Sequence, residues 1–301
     1  MQCFNPVSMN GTSMNEIANL AYEEEAVIRC KNISLHSGTT QALDRVSIAI
    51  PRGAVVGLVG RNGAGKSTLL RCMVGLAAPD SGTANLLGCP ALDMSDDVRA
   101  RLGYVAQTPD LFEWMSVYEH LETIGRAYPT WNETHCLILA ARLDLPLGRQ
   151  VGKLSGGDQQ KLAVVLALAH DPEVLILDEP VSNLDPMSRR EFMRSLFLDR
   201  EDGNNAARVQ PTIVISSHLL SDLERVVSHV AFLREGYLQL FDTWDAILEH
   251  IRLIPQDAEV SRSAIVRRNR DHCVIDTRQA PEWRETGQVA TFDQLFAELN
   301  A

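Results

Sequence analysis

The apolar positions of this chain fall into short unbroken runs separated by stretches with helical spacing. Residues 54–59 read Ala-Val-Val-Gly-Leu-Val between glycines, and apolar runs recur at 174–177, 212–216 and 230–233. Runs of this length, rich in β-branched residues and lacking polar alternation, suit strands buried on both faces. Residues 26–30 and 46–50 read as two more strands, the second by its alternation. Helix-like stretches lie at 67–76, 97–101, 117–128, 133–143, 159–170 and 219–228. Strands alternating with helices predict an α/β fold whose sheet has a parallel core. Residues 199–210, rich in Asp, Asn, Gly and Arg, are expected to form a solvated loop, and the polar first 25 residues a disordered segment. Beyond Phe241 the pattern changes to a helix at 245–251, a short strand at 273–276 and an amphipathic helix at 292–299. Residues 26–241 are therefore read as one large domain and 242–301 as a small accessory domain. The basic run at 267–270 is read as a solvated face.

Composition narrows the class. The 301 residues are 45% hydrophobic and 22% charged, the profile of a globular protein with a sizeable core. A net charge of −11 argues against a nucleic-acid partner, whose binding face is basic. The six cysteines are scattered, with no C-x-x-C pair and no neighbouring histidine cluster, so reduced thiols are expected rather than disulfides or zinc. No stretch approaches the roughly 18 consecutive apolar residues of a membrane span, and no signal peptide is read at the start. Any membrane part is expected to come from another polypeptide.

Two segments carry phosphate chemistry. Residues 60–67 read Gly-Arg-Asn-Gly-Ala-Gly-Lys-Ser, directly after a buried strand and before a helix. In this strand–loop–helix pattern the glycines let successive backbone N–H groups curl around phosphate oxygens at the helix N-terminus. Gly60, Asn62, Gly63, Ala64, Gly65, Lys66, Ser67 and Thr68 are the expected contacts, with the Lys66 charge on the β/γ-phosphates and the Ser67 hydroxyl offered to Mg²⁺. The second segment is Val174-Leu175-Ile176-Leu177-Asp178-Glu179-Pro180. Its carboxylates emerge at the C-terminal end of a buried strand, where α/β sheets place their ligands. Asp178 is assigned to Mg²⁺ and Glu179 to general-base work on the attacking water. The bland alternatives are a glycine turn before a helix and a carboxylate pair capping the next one; the two segments together disfavour both.

Three more pieces complete an ordered set: Leu154-Ser155-Gly156-Gly157-Asp158-Gln159-Gln160, Ser182-Asn183-Leu184-Asp185, and Ser216-Ser217-His218. Over about residues 26–241 the chain resembles the ATP-binding cassette (ABC) ATPases. The resemblance implies a phosphate-loop NTPase core with a mixed sheet (a parallel core plus antiparallel strands), a helical subdomain carrying the Ser-Gly-Gly segment, and the accessory domain behind it. It implies that Gln107 senses the γ-phosphate and Mg²⁺, and that residues 113–117 after it contact a membrane partner. His218 resembles the switch histidine on the γ-phosphate and attacking water, and Asp185 the aspartate that couples two sites. Ser155, Gly156 and Gly157 precede a helix and form a second anion site; in the family that site closes on ATP held by the opposite subunit. Two ATPs are then sandwiched in a homodimer or in a pair with a paralogous cassette.

Two positions depart from the family pattern. Asp158 stands where the family usually has Gln, adding negative charge near a triphosphate. Ser37 falls where an aromatic residue usually stacks on adenine, with His36 as the neighbouring substitute. The segments at 110–131 and 216–226, and the tail at 291–296, are most similar to stand-alone cassettes of bacterial exporters of drugs, antimicrobial peptides or cell-envelope compounds. The expected function is thus the ATP-hydrolysing subunit of a membrane exporter, held at the cytoplasmic face of the plasma membrane by separate membrane-spanning subunits. The rival readings are a soluble ABC ATPase acting on ribosomes or DNA and a regulatory cassette that binds ATP without hydrolysis. A single phosphate loop and the short interval from Lys66 to Ser155 disfavour the first; Lys66, Asp178, Glu179 and His218 disfavour the second.

Overall fold

A computed structural model of the chain describes residues 26–182, 184, 187, 189, 192, 193, 196, 210–217, 224 and 226–300. Asp185, His218, the first 25 residues, and most of the expected loop at 199–210 and of the expected helix at 219–228 lie outside the described residues.

The centre is a six-stranded sheet of mixed direction. Its parallel strands are β3 (Val55–Val59), β6 (Leu102–Val105), β7 (Val174–Asp178), β8 (Thr212–Ser217) and β9 (His229–Arg234); β10 (Tyr237–Thr243) runs antiparallel on the edge. The order is β10-β9-β3-β8-β7-β6. Alternate residues of these strands feed different buried clusters. Val55, Val59, Leu175, Leu177, Ile213, Ile215, Val230 and Phe232 join one; Val56, Leu58, Val174, Ile176, Val214, Ala231 and Leu233 join the other. Continuous apolar runs are what a sheet covered on both faces requires, since strand side chains point alternately up and down.

One face is covered by helix α1 (Lys66–Met73) and a second, antiparallel sheet of order β2-β1-β4-β5. Its strands are β1 (Ala26–Ser37), β2 (Thr40–Pro51), β4 (Ser81–Leu86) and β5 (Cys89–Pro90). β1 and β2 run well past the strands expected from sequence. Register shifts between Cys30 and Ile33, between Ile33 and Leu35, and between Leu35 and His36 break the period-two pattern that would have revealed their full length. Helix α2 (Asp96–Ala100) leads into β6. The other face carries α3 (Val117–Gly125), α4 (Glu133–Arg142) and α5 (Gly156–Leu168). α5 is apolar on nearly every side because it packs against α3, α4 and β6 together.

Helix α6 (Trp244–His250), capped by the Thr243 hydroxyl, leads to a third sheet of order β12-β13-β11-β14. Its strands are β11 (Ile251–Pro255), β12 (Ile265–Arg268), β13 (His272–Asp276) and β14 (Gln288–Val289). The basic run expected as a plain solvated face thus begins inside an edge strand: Arg267 is half-buried and Arg268 exposed. Helix α7 (Phe292–Asn300) returns to β9, and its Phe292, Leu295 and Leu299 enter the same buried cluster as α3–α5. Arg278 ties the third sheet to β10, pairing with Asp242 at 2.8 Å and Asp276 at 2.5 Å. Among the described residues no helix is long and apolar enough to cross a membrane.

Candidate functional site

Parallel register brings the C-terminal ends of β3, β7 and β8 to one edge, with Val59 opposite Ser217 and Asp178 opposite Ser216. The phosphate loop leaves β3 here. Two close approaches explain its glycines. A Cβ on Gly60 would lie 2.3 Å from the Leu233 carbonyl oxygen, and one on Gly65, whose φ is +102°, would lie 2.5 Å from that of Ala42. Gly65 caps α1 without any side chain bonding to the first-turn amides. Those N–H groups, and the positive end of the helix, therefore face the loop.

The loop frames a cavity of about 200 Å³ lined by Ala42, Asn62, Gly63, Gly65, Lys66, Ser67, Thr68, Gln107 and Glu179. Most of the loop contacts expected from sequence thus converge with Gln107 and Glu179. Gly60 and the buried Ala64 sit behind the cavity wall. The Lys66 ammonium lies 3.3 Å from the Glu179 carboxylate, and both side chains are more than nine-tenths buried. It also donates to the carbonyl of Gly60 at 2.8 Å and of Arg61 at 3.3 Å. Glu179 adopts a left-handed backbone (φ +48°), a strained conformation for a residue with a side chain.

Ser216 locks this conformation. Its hydroxyl donates to Asp178 Oδ1 at 2.7 Å and accepts the Glu179 backbone N–H at 2.8 Å, so one fully buried serine orients the Asp178 carboxylate and pins the backbone from which Glu179 projects. In the sequence, Ser216 stands out only as the first residue of Ser216-Ser217-His218. Its signal was a hydroxyl at the end of an apolar strand, where an unpaired polar group would be costly. Ser67, Asp178, Gln107 and Glu179 offer only oxygen ligands near the cavity, a hard donor set suited to Mg²⁺ held with phosphate oxygens and water. Among the described residues there is no cluster of three or more His, Cys, Asp or Glu that could hold a metal ion.

The Ser155 segment lies apart from this cavity. Helix α5 begins at Gly156 rather than at the expected Gln159, so both glycines belong to its first turn and Ser155 is its N-cap. The Ser155 hydroxyl accepts the Asp158 backbone N–H at 3.1 Å and donates to Asp158 Oδ2 at 2.8 Å. Lys161 meets the other oxygen of Asp158 at 3.4 Å. Ser155 and Gly156 are exposed, and a Cβ on Gly156 would meet nothing within 4 Å. Farther along α5, Gln160 is buried and donates to the Ala106 carbonyl at 3.3 Å, joining this helix to the residue before Gln107.

Residues after Gln107 form a braced surface. Ser116 and Glu119 make a reciprocal capping box on α3, a feature that the Ser-x-x-Glu spacing encodes. The Phe112 N–H donates to His120 Nε2 at 3.1 Å, and burial pushes His120 towards its neutral form. Phe112, Trp114 and Tyr118 are exposed. Tyr118 also borders a cavity of about 280 Å³ between α3 and α4, lined in part by Glu122, Trp131 and Glu133. The base-stacking candidates do not line the phosphate cavity: His36 is held to Asp80 by its backbone N–H and by Nδ1, each at 2.8 Å, and Ser37 has no ring. Burial raises the thiols of Cys30 and Cys136 to about 12 and of Cys72 to about 11, in keeping with unreactive structural cysteines.

Comparisons with known proteins agree with this geometry. The ABC transporter family model matches residues 43–182. A second model, an AAA domain described as putative AbiEii toxin of a type IV toxin–antitoxin system, overlaps it at residues 147–221. The bacitracin transport ATP-binding protein BcrA of Enterococcus faecalis is 32% identical over 217 residues, which are 71% of this chain and 68% of that protein. A Nod factor export ATP-binding protein I of Paraburkholderia xenovorans is 36% identical over 221 residues, covering 70% and 69%. A solved ATP-binding subunit of an ABC transporter superposes with a TM-score of 0.65 at 28% identity, over 73% of this chain and 91% of that one. The chain belongs to the ABC transporter family, as an ATP-binding cassette with the ATPase fold and activity of that family.

Proposed function

We propose that this chain is the ATP-hydrolysing subunit of an exporter, working as a dimer whose two ATP sites are each shared between two cassettes. The observation that carries this reading is the buried contact between Lys66 and Glu179 at the mouth of the phosphate loop. Without phosphate, each charge has the other as its partner. A triphosphate in the cavity draws the Lys66 ammonium to its β- and γ-oxygens, and Glu179 is then left facing the terminal phosphate. There it accepts a proton from the attacking water while the loop amides hold the charge that develops on the phosphoryl oxygens. Ser67, Asp178 and Gln107 are the residues that would hold Mg²⁺, which when bound would supply charge neutralisation for the phosphates. His218 and Asp185 are proposed to position the water and to couple the two sites.

The second half of each site is assigned to Ser155, Gly156 and Gly157 of the other cassette; Ser155 and Gly156 are exposed, Gly157 is half-buried, and a Cβ on Gly156 would meet nothing within 4 Å. Closure of the pair passes to the membrane partner through Gln160, Gln107 and the exposed aromatics Phe112, Trp114 and Tyr118. The partner is a separate membrane-spanning subunit, which places the chain at the cytoplasmic face of the membrane. The export direction follows the relative named for Nod factor export. Residues 26–241 are taken as the nucleotide-binding unit and 242–301 as the accessory unit.

The test is hydrolysis by the native chain against Glu179→Gln, measured as phosphate release with Mg²⁺ and, once identified, the membrane partner. Loss of a catalytic base of this kind costs about 10²–10⁴-fold. Equal rates in the two proteins would sink the catalytic assignment.

A further inference from the structure

We propose that Asn300, at the end of α7, is a positioning residue for the phosphate loop, and that through it the accessory segment sets the affinity for ATP. This inference rests on the reading of that loop as the ATP site. The helix is firmly placed. Phe292, Leu295 and Leu299 are each at least 97% buried, and Phe292 packs its ring on Phe232 of β9 and on Trp244 of α6, with centroids 6.0 and 4.6 Å apart. The residue after Phe232 is Leu233, whose carbonyl closes against Gly60. α7 and the start of the phosphate loop are therefore held by the same strand.

Asn300 spans what remains. It is 95% buried, and its Nδ2 donates back to the Phe296 carbonyl at 3.0 Å, which fixes the orientation of its amide. Its Oδ1 accepts the Arg61 backbone N–H at 3.4 Å. That N–H belongs to the same peptide unit as the Gly60 carbonyl, and the Gly60 carbonyl accepts the Lys66 ammonium at 2.8 Å. One rigid, planar peptide is thus gripped at one end by Asn300 and at the other by the lysine assigned to the phosphates. The Arg61 carbonyl, in the next peptide unit, takes the Ala64 N–H at 3.1 Å, so the setting of the Gly60–Arg61 peptide is passed to the first turn of the loop.

The contact acts on binding rather than on the chemical step. Asn300 does not line the phosphate cavity. Removing it frees the Gly60–Arg61 peptide to sample orientations that must be given up again when ATP arrives, and a preorganised loop binds better because that ordering is already done. A group that helps bind substrate and transition state alike raises KM when lost and leaves kcat alone.

The experiment compares the full chain with Asn300→Ala by amide hydrogen exchange without nucleotide, by ATP-dependent hydrolysis kinetics with Mg²⁺, and by thermal melting. Expected are about fivefold faster exchange confined to residues 60–66, a KM for ATP raised about fivefold and a kcat within twofold. The Tm should stay within about 2 °C, because α7 remains docked by its apolar residues. Unchanged exchange and unchanged KM would overturn the inference. So would a raised KM that comes with faster exchange across β9 and α7 and a large fall in Tm, since that pattern means undocking of the helix. If the native chain neither binds nor hydrolyses ATP, the reading of the loop itself fails, while exchange at residues 60–66 still decides whether Asn300 holds the peptide.

Discussion

The two anion-facing helix starts of this chain are built in opposite ways. At α1 the side chains are buried and spoken for: Lys66 is held by Glu179 and two carbonyls, and Ser216 fixes Asp178 and Glu179. At α5 the start is exposed at Ser155 and Gly156, Gly156 faces open space, and the Ser155 hydroxyl is occupied by its own neighbour Asp158. The first is a site finished within one chain. The second leaves its first turn open to solvent, the difference that the proposed sharing of a nucleotide between two chains requires.

The comparison can be broken from either side. The larger effect is expected at the finished site. Ser216→Ala leaves the buried Asp178 oxygen and the Glu179 N–H without their partner, at a cost of about 1–3 kcal/mol for each group left unsatisfied. For a chain of this size that is a Tm lower by roughly 5–10 °C in calorimetry. Hydrolysis should fall about tenfold as well, because the left-handed turn that aims Glu179 is no longer pinned. A variant as stable and active as the native chain would show that the serine is a spectator.

A smaller effect of opposite sign is expected at the open site. Asp158 competes with phosphate for the Ser155 hydroxyl and adds a like charge, which Lys161 offsets only in part. Asp158→Gln removes the like charge, leaving at most a neutral amide acceptor beside Ser155, and should tighten ATP-dependent pairing of cassettes about threefold, the size of a surface charge contact. Sedimentation at a series of protein concentrations reads it, and weaker pairing would reverse the assigned role.

The smallest effect lies away from both sites. The Arg101 and Arg52 guanidiniums hold Glu173, just before β7, down to about 2. A carboxylate depressed in the folded state contributes stability that is present above the ordinary value near 4.5 and lost as pH falls towards 2. The side chain is 37% exposed, so solvent screens much of this. Glu173→Gln should flatten the decline of Tm between about pH 4.5 and pH 2 and move the Tm at neutral pH by only a degree or two.

How much of this was legible in the sequence follows from where each element gets its stability. β3, β7 and β8 announce themselves because burial on both faces demands unbroken apolar runs. β4 does not: Ser-Gly-Thr-Ala-Asn-Leu has neither period, and its pairing with β1 makes it a strand. β11 was hidden because Ile251 continues the helical spacing of α6, although the Thr243 cap marks where that helix starts. At the site, residues tied to local backbone chemistry (the loop glycines, Lys66, Asp178 and Glu179) could be read directly. Asn300 could not, because its role exists only once α7 has folded back onto β9, and no local pattern encodes a contact across 239 positions.

The central claim is that half of each ATP site comes from a second chain. It is tested most directly by the mass of Glu179→Gln in solution, with Mg²⁺ and saturating ATP, with ADP, and without nucleotide. The account predicts a dimer with ATP and a monomer in the other two conditions, and loss of the dimer when Ser155 is also changed to Arg. A protein that binds ATP yet stays monomeric at micromolar concentration, or a dimer indifferent to both nucleotide and the change at Ser155, would contradict it.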